Sequence, residues 1–185
     1  MSTAESILKK ELDDLFDNPP VDLPYSVDYW DPPGEEKINH WRAIFTGPEG
    51  TPYENGAFEV EILFDDNYPI SCPNIKFKTR IFNCNISDID GTICVSLLNN
   101  WNITDPSDKD YFPPKSKNIR EALFAISVLF YEQNPKSPLN TFAAELYLKE
   151  DKTDFNNEVK KWVNFYAEIE NEIYKDQNRQ KQNII

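Results

Sequence analysis

Three cysteines and one histidine, Cys72, Cys84, Cys94 and His40, are the side chains here best suited to covalent or metal chemistry. No two cysteines form a CxxC pair, and one histidine cannot complete the usual ligand sets, so no metal site is expected. Three cysteines in 185 residues are odd in number and sparse. That points away from a disulfide-stapled secreted domain and toward a reducing compartment, cytoplasmic or nuclear. Any Cys-His or Ser-His-Asp catalysis would need His40 as its base, and His40 sits in a strand-like run just before Trp41. A cysteine is more often a small buried hydrophobe than a nucleophile, so residue types alone leave both readings open.

The elements that must position these residues follow from spacing. Ser2 and Glu5 form a capping box ahead of Ala4, Leu8, Leu12 and Leu15, which predicts a first helix that stops at Asn18-Pro19-Pro20. Prolines bracket a short strand at Tyr25–Trp30. Three β-rich segments follow: 38–46, 57–64 and 74–79. In the second, Phe58, Val60, Ile62 and Phe64 share one face, with Glu59 and Glu61 on the other. Gly47-Pro48-Glu49-Gly50 and Asp65-Asp66-Asn67 supply turns between them, giving an antiparallel meander. From Arg80 to about Lys117 no period is evident; so long an irregular stretch in a compact domain reads as a functional surface. It contains Cys84 and Cys94.

The rest reads as helices. Asn118, with Glu121 as capping-box partner, opens one carrying Ile119, Leu123, Ile126 and Phe130, ended by Asn134-Pro135. Asn140 caps a short one over 141–148. Asp154 opens the last, with Phe155, Val159, Trp162, Tyr166, Ile169 and Ile173 on one stripe. The layout is α+β: an N-terminal helix, a four-stranded antiparallel meander, then C-terminal helices. One domain is expected over residues 1–175, with a polar tail over 176–185.

Composition excludes several classes. Hydrophobic residues are 39% and aromatics 14%, which excludes disorder despite a mean hydropathy of −0.63. Lys plus Arg number 19 against 32 for Asp plus Glu, a net charge of −13. Nucleic acid and anionic membrane surfaces are repelled on average, and basic protein partners fit better. No apolar run approaches the ~20 residues of a membrane helix, and residues 1–15 lack the cationic-then-apolar order of a signal peptide.

From about Glu5 to Ala167 the chain carries blocks similar to those of one known enzyme family. Leu8-Lys9-Lys10-Glu11-Leu12 is similar to the family's first helix. WRAIFTGPEGTPYENGAF, from Trp41 to Phe58, is similar to its W-x-x-x-x-x-G-P-x-x-T-P-Y-E-G-G-x-F block. Residues 67–73 (NYPISCP) follow Y-P-F-x-P-P, Asn85 with Gly91-Thr92-Ile93-Cys94 follows H-P-N…G-x-I-C, and residues 133–140 (QNPKSPLN) follow P-N-P-x-x-P-L-N. Six blocks in order form a specific signal, and on them the chain resembles the ubiquitin-conjugating (E2) enzymes.

The resemblance implies the UBC fold and thioester exchange on Cys94, since sulfur is both a good nucleophile and a good leaving group. It implies that Asn85 donates to the oxyanion, holds the active-site loop, or does both; a turn asparagine is the plain alternative. Ser137 falls where many members carry an acidic residue beside the incoming lysine, and Ser96 where some place Asp. Lys9 and Lys10 correspond to the contact for the E1 activating enzyme. Pro69 and Ile70 correspond to the docking loop for a RING- or HECT-type E3, with Ile70 in place of a frequent Phe. Ubiquitin or a ubiquitin-like protein is the implied cargo and a protein lysine the acceptor. No cofactor is implied, since ATP is consumed at E1.

Departures from the pattern also carry information. Asn83-Cys84 replaces His-Pro, and Asn can brace a loop as His does. Cys84 reads as reduced and structural, unless its Cα lies within disulfide reach of that of Cys94; Cys72 reads as core. Extra residues between Cys94 and Asn118 admit two alignments, with Trp101 or Phe112-Pro113-Pro114 in place of the family's W-x-P. Either way Asp105, Asp108 and Asp110 bring acidity beside the site, as a steering element or as a solvated excursion. Alternatives are an E2 for another modifier such as NEDD8, a non-catalytic ubiquitin-binding UBC variant, and a Cys94–His40 hydrolase. The acidity disfavours SUMO as cargo.

Overall fold

Helix α1 (Thr3–Asp17) opens on the reciprocal capping box that its sequence predicts: Ser2 Oγ accepts from the Glu5 N–H, and Glu5 Oε2 accepts from the Ser2 N–H at 2.7 Å. It buries Ala4, Leu8, Leu12 and Leu15, one stripe at helical spacing. The computed structural model describes residues 2–19 and 25–168. Strands β1 (Tyr25–Tyr29), β2 (His40–Thr46), β3 (Ala57–Leu63) and β4 (Asn74–Phe77) form one antiparallel sheet in the order β1-β2-β3-β4. The register sets Trp41 opposite Ile62, Ala43 opposite Val60 and Phe45 opposite Phe58. All six side chains turn to the same face, where they are buried. On the other face, Glu59 is buried beside Arg42 (3.7 Å), while His40 lies between Glu61 (3.1 Å) and Asp31 (3.5 Å).

The irregular stretch is not wholly without helix. Ser96–Asn99 forms a short helix, α2, and Pro114–Ser116 a 3₁₀ turn. Neither is long enough to show a period in sequence. Helix α3 (Ile119–Val128) starts where expected, with Asn118 accepting from the Glu121 N–H. It ends earlier than Asn134-Pro135. Past Val128 the chain tightens into i→i+3 bonds, Leu129 N–H to Ile126 O and Phe130 N–H to Ser127 O. Phe130 stays in the core all the same, stacked on Phe45 at 5.7 Å.

Asn140 caps α4 (Thr141–Tyr147) as predicted. Helix α5 (Thr153–Tyr166) opens one residue before Asp154, with Lys152 at its N-cap and the Thr153 N–H donating to Asp151 Oδ1 at 2.9 Å. Of the expected stripe, Phe155 and Val159 are buried and Trp162 and Tyr166 half-buried, and Val163, which the stripe did not include, is buried beside them. Ile169, Ile173 and the 176–185 tail lie outside the described residues. The core fills the space between the sheet's inner face, α1 and α3. The segment that carries Cys84 and Cys94 runs along its edge.

Candidate active site

The segment after β4 is buried although much of it is polar: residues 81 to 86 are all buried, Asn83 and Cys84 at 0% exposure. Such a segment persists only if every buried polar group is bonded, and its partners come from distant parts of the chain. Tyr53 supplies one fixed point. Its hydroxyl donates to Phe82 O at 2.8 Å and accepts from Asn83 Nδ2 at 3.1 Å and Gln133 Nε2 at 2.7 Å. Burial raises this phenol far above its ordinary range, so it remains a neutral donor. Asn83 Nδ2 also donates to Leu129 O, and Asn83 Oδ1 accepts from the Asn85 N–H at 2.9 Å. Asn83 thus braces the loop by hydrogen bonds, the role expected of it.

Cys84 is locked by its backbone. Its N–H donates to Gln133 Oε1 and its carbonyl accepts from the Leu139 and Asn140 N–H groups. Burial pushes its thiol up to about 11. All three cysteines are free thiols. Burial likewise pushes the half-buried Cys72 thiol up to about 11.

Asn85 links the strand-like edge to the 134–137 loop. Its Oδ1 accepts from the Asn134 N–H at 2.7 Å, and its Nδ2 donates to Asn134 O at 2.9 Å and Ser137 O at 3.4 Å. Its own carbonyl accepts the Cys94 N–H at 2.8 Å. Both amide hydrogens are therefore occupied, the second by a long contact, and loop bracing is what the geometry displays. Gly91 has φ +71, and a Cβ there would meet Phe77 O at 1.9 Å. Only glycine lets the turn before Cys94 press against β4, where the Phe77 N–H donates to Gly91 O.

Cys94 itself is half-buried at the head of a groove of about 640 Å³. Asn85, Ser137 and Cys94 all line it, together with Phe124 and Val128 of α3 and the exposed Glu121 and Glu132. Sequence reasoning did not anticipate Asn99, the last residue of α2. Its Nδ2 donates to Cys94 Sγ at 3.2 Å. The only signal was a carboxamide five residues after the cysteine, which means nothing until α2 turns it back.

The partner positions lie elsewhere. Lys9 and Lys10 are exposed on α1. Ile70 is 80% exposed, and Pro69 O accepts from Trp101 Nε1 at 2.9 Å. Trp101 is fully buried and Phe112 half-buried on the groove wall. Trp101 is therefore the anchored residue of the two, and the excursion follows it. His40 does not approach Cys94. It faces Asp31 and Glu61, stacks on Trp30 at 5.3 Å and does not line the groove. Among the described residues no cluster of acids, histidines and cysteines could hold a metal, and no helix is long and apolar enough to cross a membrane.

Comparison with known proteins extends over this whole architecture. The family described as ubiquitin-conjugating enzyme matches residues 7–163. The chain is 32% identical over 164 residues to ubiquitin conjugating enzyme E2 B of Dictyostelium discoideum, covering 89% of this chain and 98% of that one. It is 33% identical over 150 residues to ubiquitin-conjugating enzyme E2 1 of Caenorhabditis elegans, covering 78% and 71%. Among solved structures, the E2 domain of a Toxoplasma gondii ubiquitin conjugating enzyme superposes with a TM-score of 0.69 at 30% identity, covering 88% of this chain and 99% of that one. A Plasmodium yoelii structure described as a ubiquitin conjugating enzyme gives 0.70 at 32% identity, covering 90% and 97%.

Proposed function

The chain belongs to the ubiquitin-conjugating enzyme family, and we propose that it carries ubiquitin as a thioester on Cys94, received from E1 and passed to a lysine or an E3 cysteine. The observation that carries this reading is the half-buried Sγ at the head of an open groove whose wall is braced by Asn85. Loading is an exchange. The Cys94 thiolate attacks the carbonyl carbon of the E1-bound thioester, a new C–S bond forms, and the E1 sulfur leaves with the electron pair. In transfer, an amine attacks the same carbon, an oxyanion forms and collapses, the Cys94–C bond breaks, and the amine loses its proton to solvent. The thiolate leaves without being protonated, so no general acid is needed at the sulfur.

Asn85 acts first as the brace that fixes the 134–137 loop. Of its two amide hydrogens, the one on the 3.4 Å contact to Ser137 O is the cheaper to redirect toward an oxyanion. Ser137 borders the lysine approach without serving as a base. Lys9 and Lys10 face E1, and Pro69 with the exposed Ile70 faces E3. Asp105, Asp108 and Asp110 draw a basic surface of the cargo or acceptor toward the groove.

The test mixes the protein with ATP and a panel of E1 enzymes, each with its modifier. The expected result is a thiol-sensitive adduct with ubiquitin on the wild type, absent in Cys94→Ala. An adduct with a different modifier alone would transfer the mechanism to that cargo, and no adduct with any would overturn it.

A further inference from the structure

Two carboxamides flank Cys94, and their hydrogen-bonding states are opposite. Asn85 is buried at 1% exposure with both amide hydrogens directed at backbone carbonyls. Asn99 is exposed, and among the described residues its side chain makes one hydrogen bond, from Nδ2 to Cys94 Sγ at 3.2 Å. That Nδ2 is the polar side-chain atom in hydrogen-bond contact with the sulfur. Its backbone is fixed: the Asn99 N–H donates to Val95 O at 3.0 Å, Leu97 is buried, and Trp101, two residues on, is fully buried and tied to Pro69. Short α2 thus holds an adaptable amide on a rigid support at the groove's edge.

From this contact, and resting on the thioester reading above, we infer that Asn99 is a catalytic residue of the transfer reaction. Its N–H donates to the Cys94 thiolate before loading. Once the acyl group is on sulfur, the atom this donor contacts is bonded to the carbonyl carbon, and the donor reaches the oxygen that becomes the oxyanion. An amide suits both duties, because it donates without carrying a charge that would repel an incoming ammonium group. The bonds made and broken are those of the exchange described above, and Asn99 gains and loses no proton.

The experiment has two arms on the full chain. In the first, iodoacetamide alkylation at Cys94, located by mass spectrometry, is followed at one pH for the wild type, Asn99→Ala and Asn99→Asp. All three should form the adduct at Cys94, so that slower discharge reflects lost transfer chemistry; a folded variant that loses the adduct would mean that Asn99 only holds the cysteine in place and would overturn the inference. In the second, the charged protein is discharged to free lysine in single turnover. Both variants should slow by roughly 10- to 100-fold, the lower part of the range for lost oxyanion donors because this one is exposed. Asp matches Asn in shape, so a purely structural role would leave Asn99→Asp near wild type. Wild-type discharge by either variant overturns the inference and leaves the E2 reading intact. A wild type that never charges overturns both.

Discussion

Two irregular segments of this molecule, 81–86 and 102–117, are built on opposite rules. In the first, nearly every side-chain hydrogen bond joins residues 29 to 52 apart in sequence, from Tyr53–Phe82 to Asn85–Ser137, and all six residues are buried. In the second, the bonds are mostly local. The Ser107 N–H donates to Asp105 and the Asp110 N–H to Asp108, each two residues away, while residues 104–110 are exposed. The longest reach is Lys117 Nζ to Ile103 O at 2.8 Å. Irregular backbone is thus no measure of looseness. A loop whose polar groups are satisfied from across the fold is as fixed as a strand, whereas one that satisfies itself locally is an attachment the core does not feel.

The sharpest way to break this contrast is Asn83→Ala. It strands the buried Asn85 N–H and the Leu129 carbonyl and removes one donor from Tyr53. Each stranded buried group costs ~1–3 kcal/mol, so denaturant unfolding should show a loss of about 3 kcal/mol. A loss below about 1 kcal/mol would mean that the braced loop is no more fixed than the excursion.

Asn85→Ala should come next. Its partner Asn134 is exposed, so water replaces part of what is lost, and stability should fall by about 1–2 kcal/mol. Transfer should suffer more than folding. With the 134–137 loop released, discharge to lysine should slow ~10²-fold while loading from E1 persists, as read by single-turnover kinetics. Equal loss of loading and discharge would mean that Asn85 merely holds the cysteine's own backbone.

How much of this was legible beforehand follows the same division. Helix α1 was fully readable, because capping box, apolar stripe and proline stop all act within a few residues. The meander was readable because alternation such as Phe58, Val60 and Ile62 is local. The end of α3 was misplaced at Asn134-Pro135. Its last turn tightens under the pull of Phe130 into the aromatic core, a tertiary event that carries no local mark. Cys94, Asn85 and Ser137 were found only through ordered motif blocks, and the structure does bring these three to one groove. The roles of Tyr53 and Gln133 were invisible, since their partners lie 29 to 80 residues away. Asn99 was missed because a four-residue helix has no period to detect.

Glu11 sits where the excursion rejoins the core, and it tests that junction. Its Oε2 accepts from the Tyr68 hydroxyl at 2.7 Å and from the Ile119 N–H at 3.0 Å, the first amide of α3. Burial, the largest influence, raises its carboxyl above the ordinary value despite both bonds. The folded protein therefore holds this proton more tightly than the unfolded chain. The resulting stability is complete below the unfolded carboxylate range and is lost as pH rises through the folded value. Asp14, held low first by its hydrogen bond from Arg120, works in the opposite sense. A difference between variants isolates Glu11. In Glu11→Gln the amide oxygen can accept both bonds, so the Tm gap between variant and wild type should move in the variant's favour from pH 4 to pH 7. A constant gap would remove Glu11 as the titrating group.

The smallest effect on folding, and the finest test of the contrast, belongs to the triple variant Asp105→Asn, Asp108→Asn, Asp110→Asn. At 105 and 108 the side chain keeps an oxygen that can accept its local N–H, Asp110 only faces Lys109 at 4.0 Å, and Asp105 owes its lowered carboxyl first to the Ser107 N–H, which Asn can still receive. Stability should therefore change by no more than about 0.5 kcal/mol. Any contribution of the excursion lies in its field. Three exposed charges act across water over about one Debye length, ~10 Å at 0.1 M salt and ~3 Å at 1 M. If they steer a basic surface to the groove, lysine discharge or E3-stimulated transfer should be slower in the variant at low salt, by a few-fold at most. Wild type and variant should then converge as salt rises. Rates that coincide at every salt concentration would reduce the acidic excursion to solvated surface. A deficit that persists at 1 M would show that its shape matters, and would place the segment with the braced loop rather than opposite it.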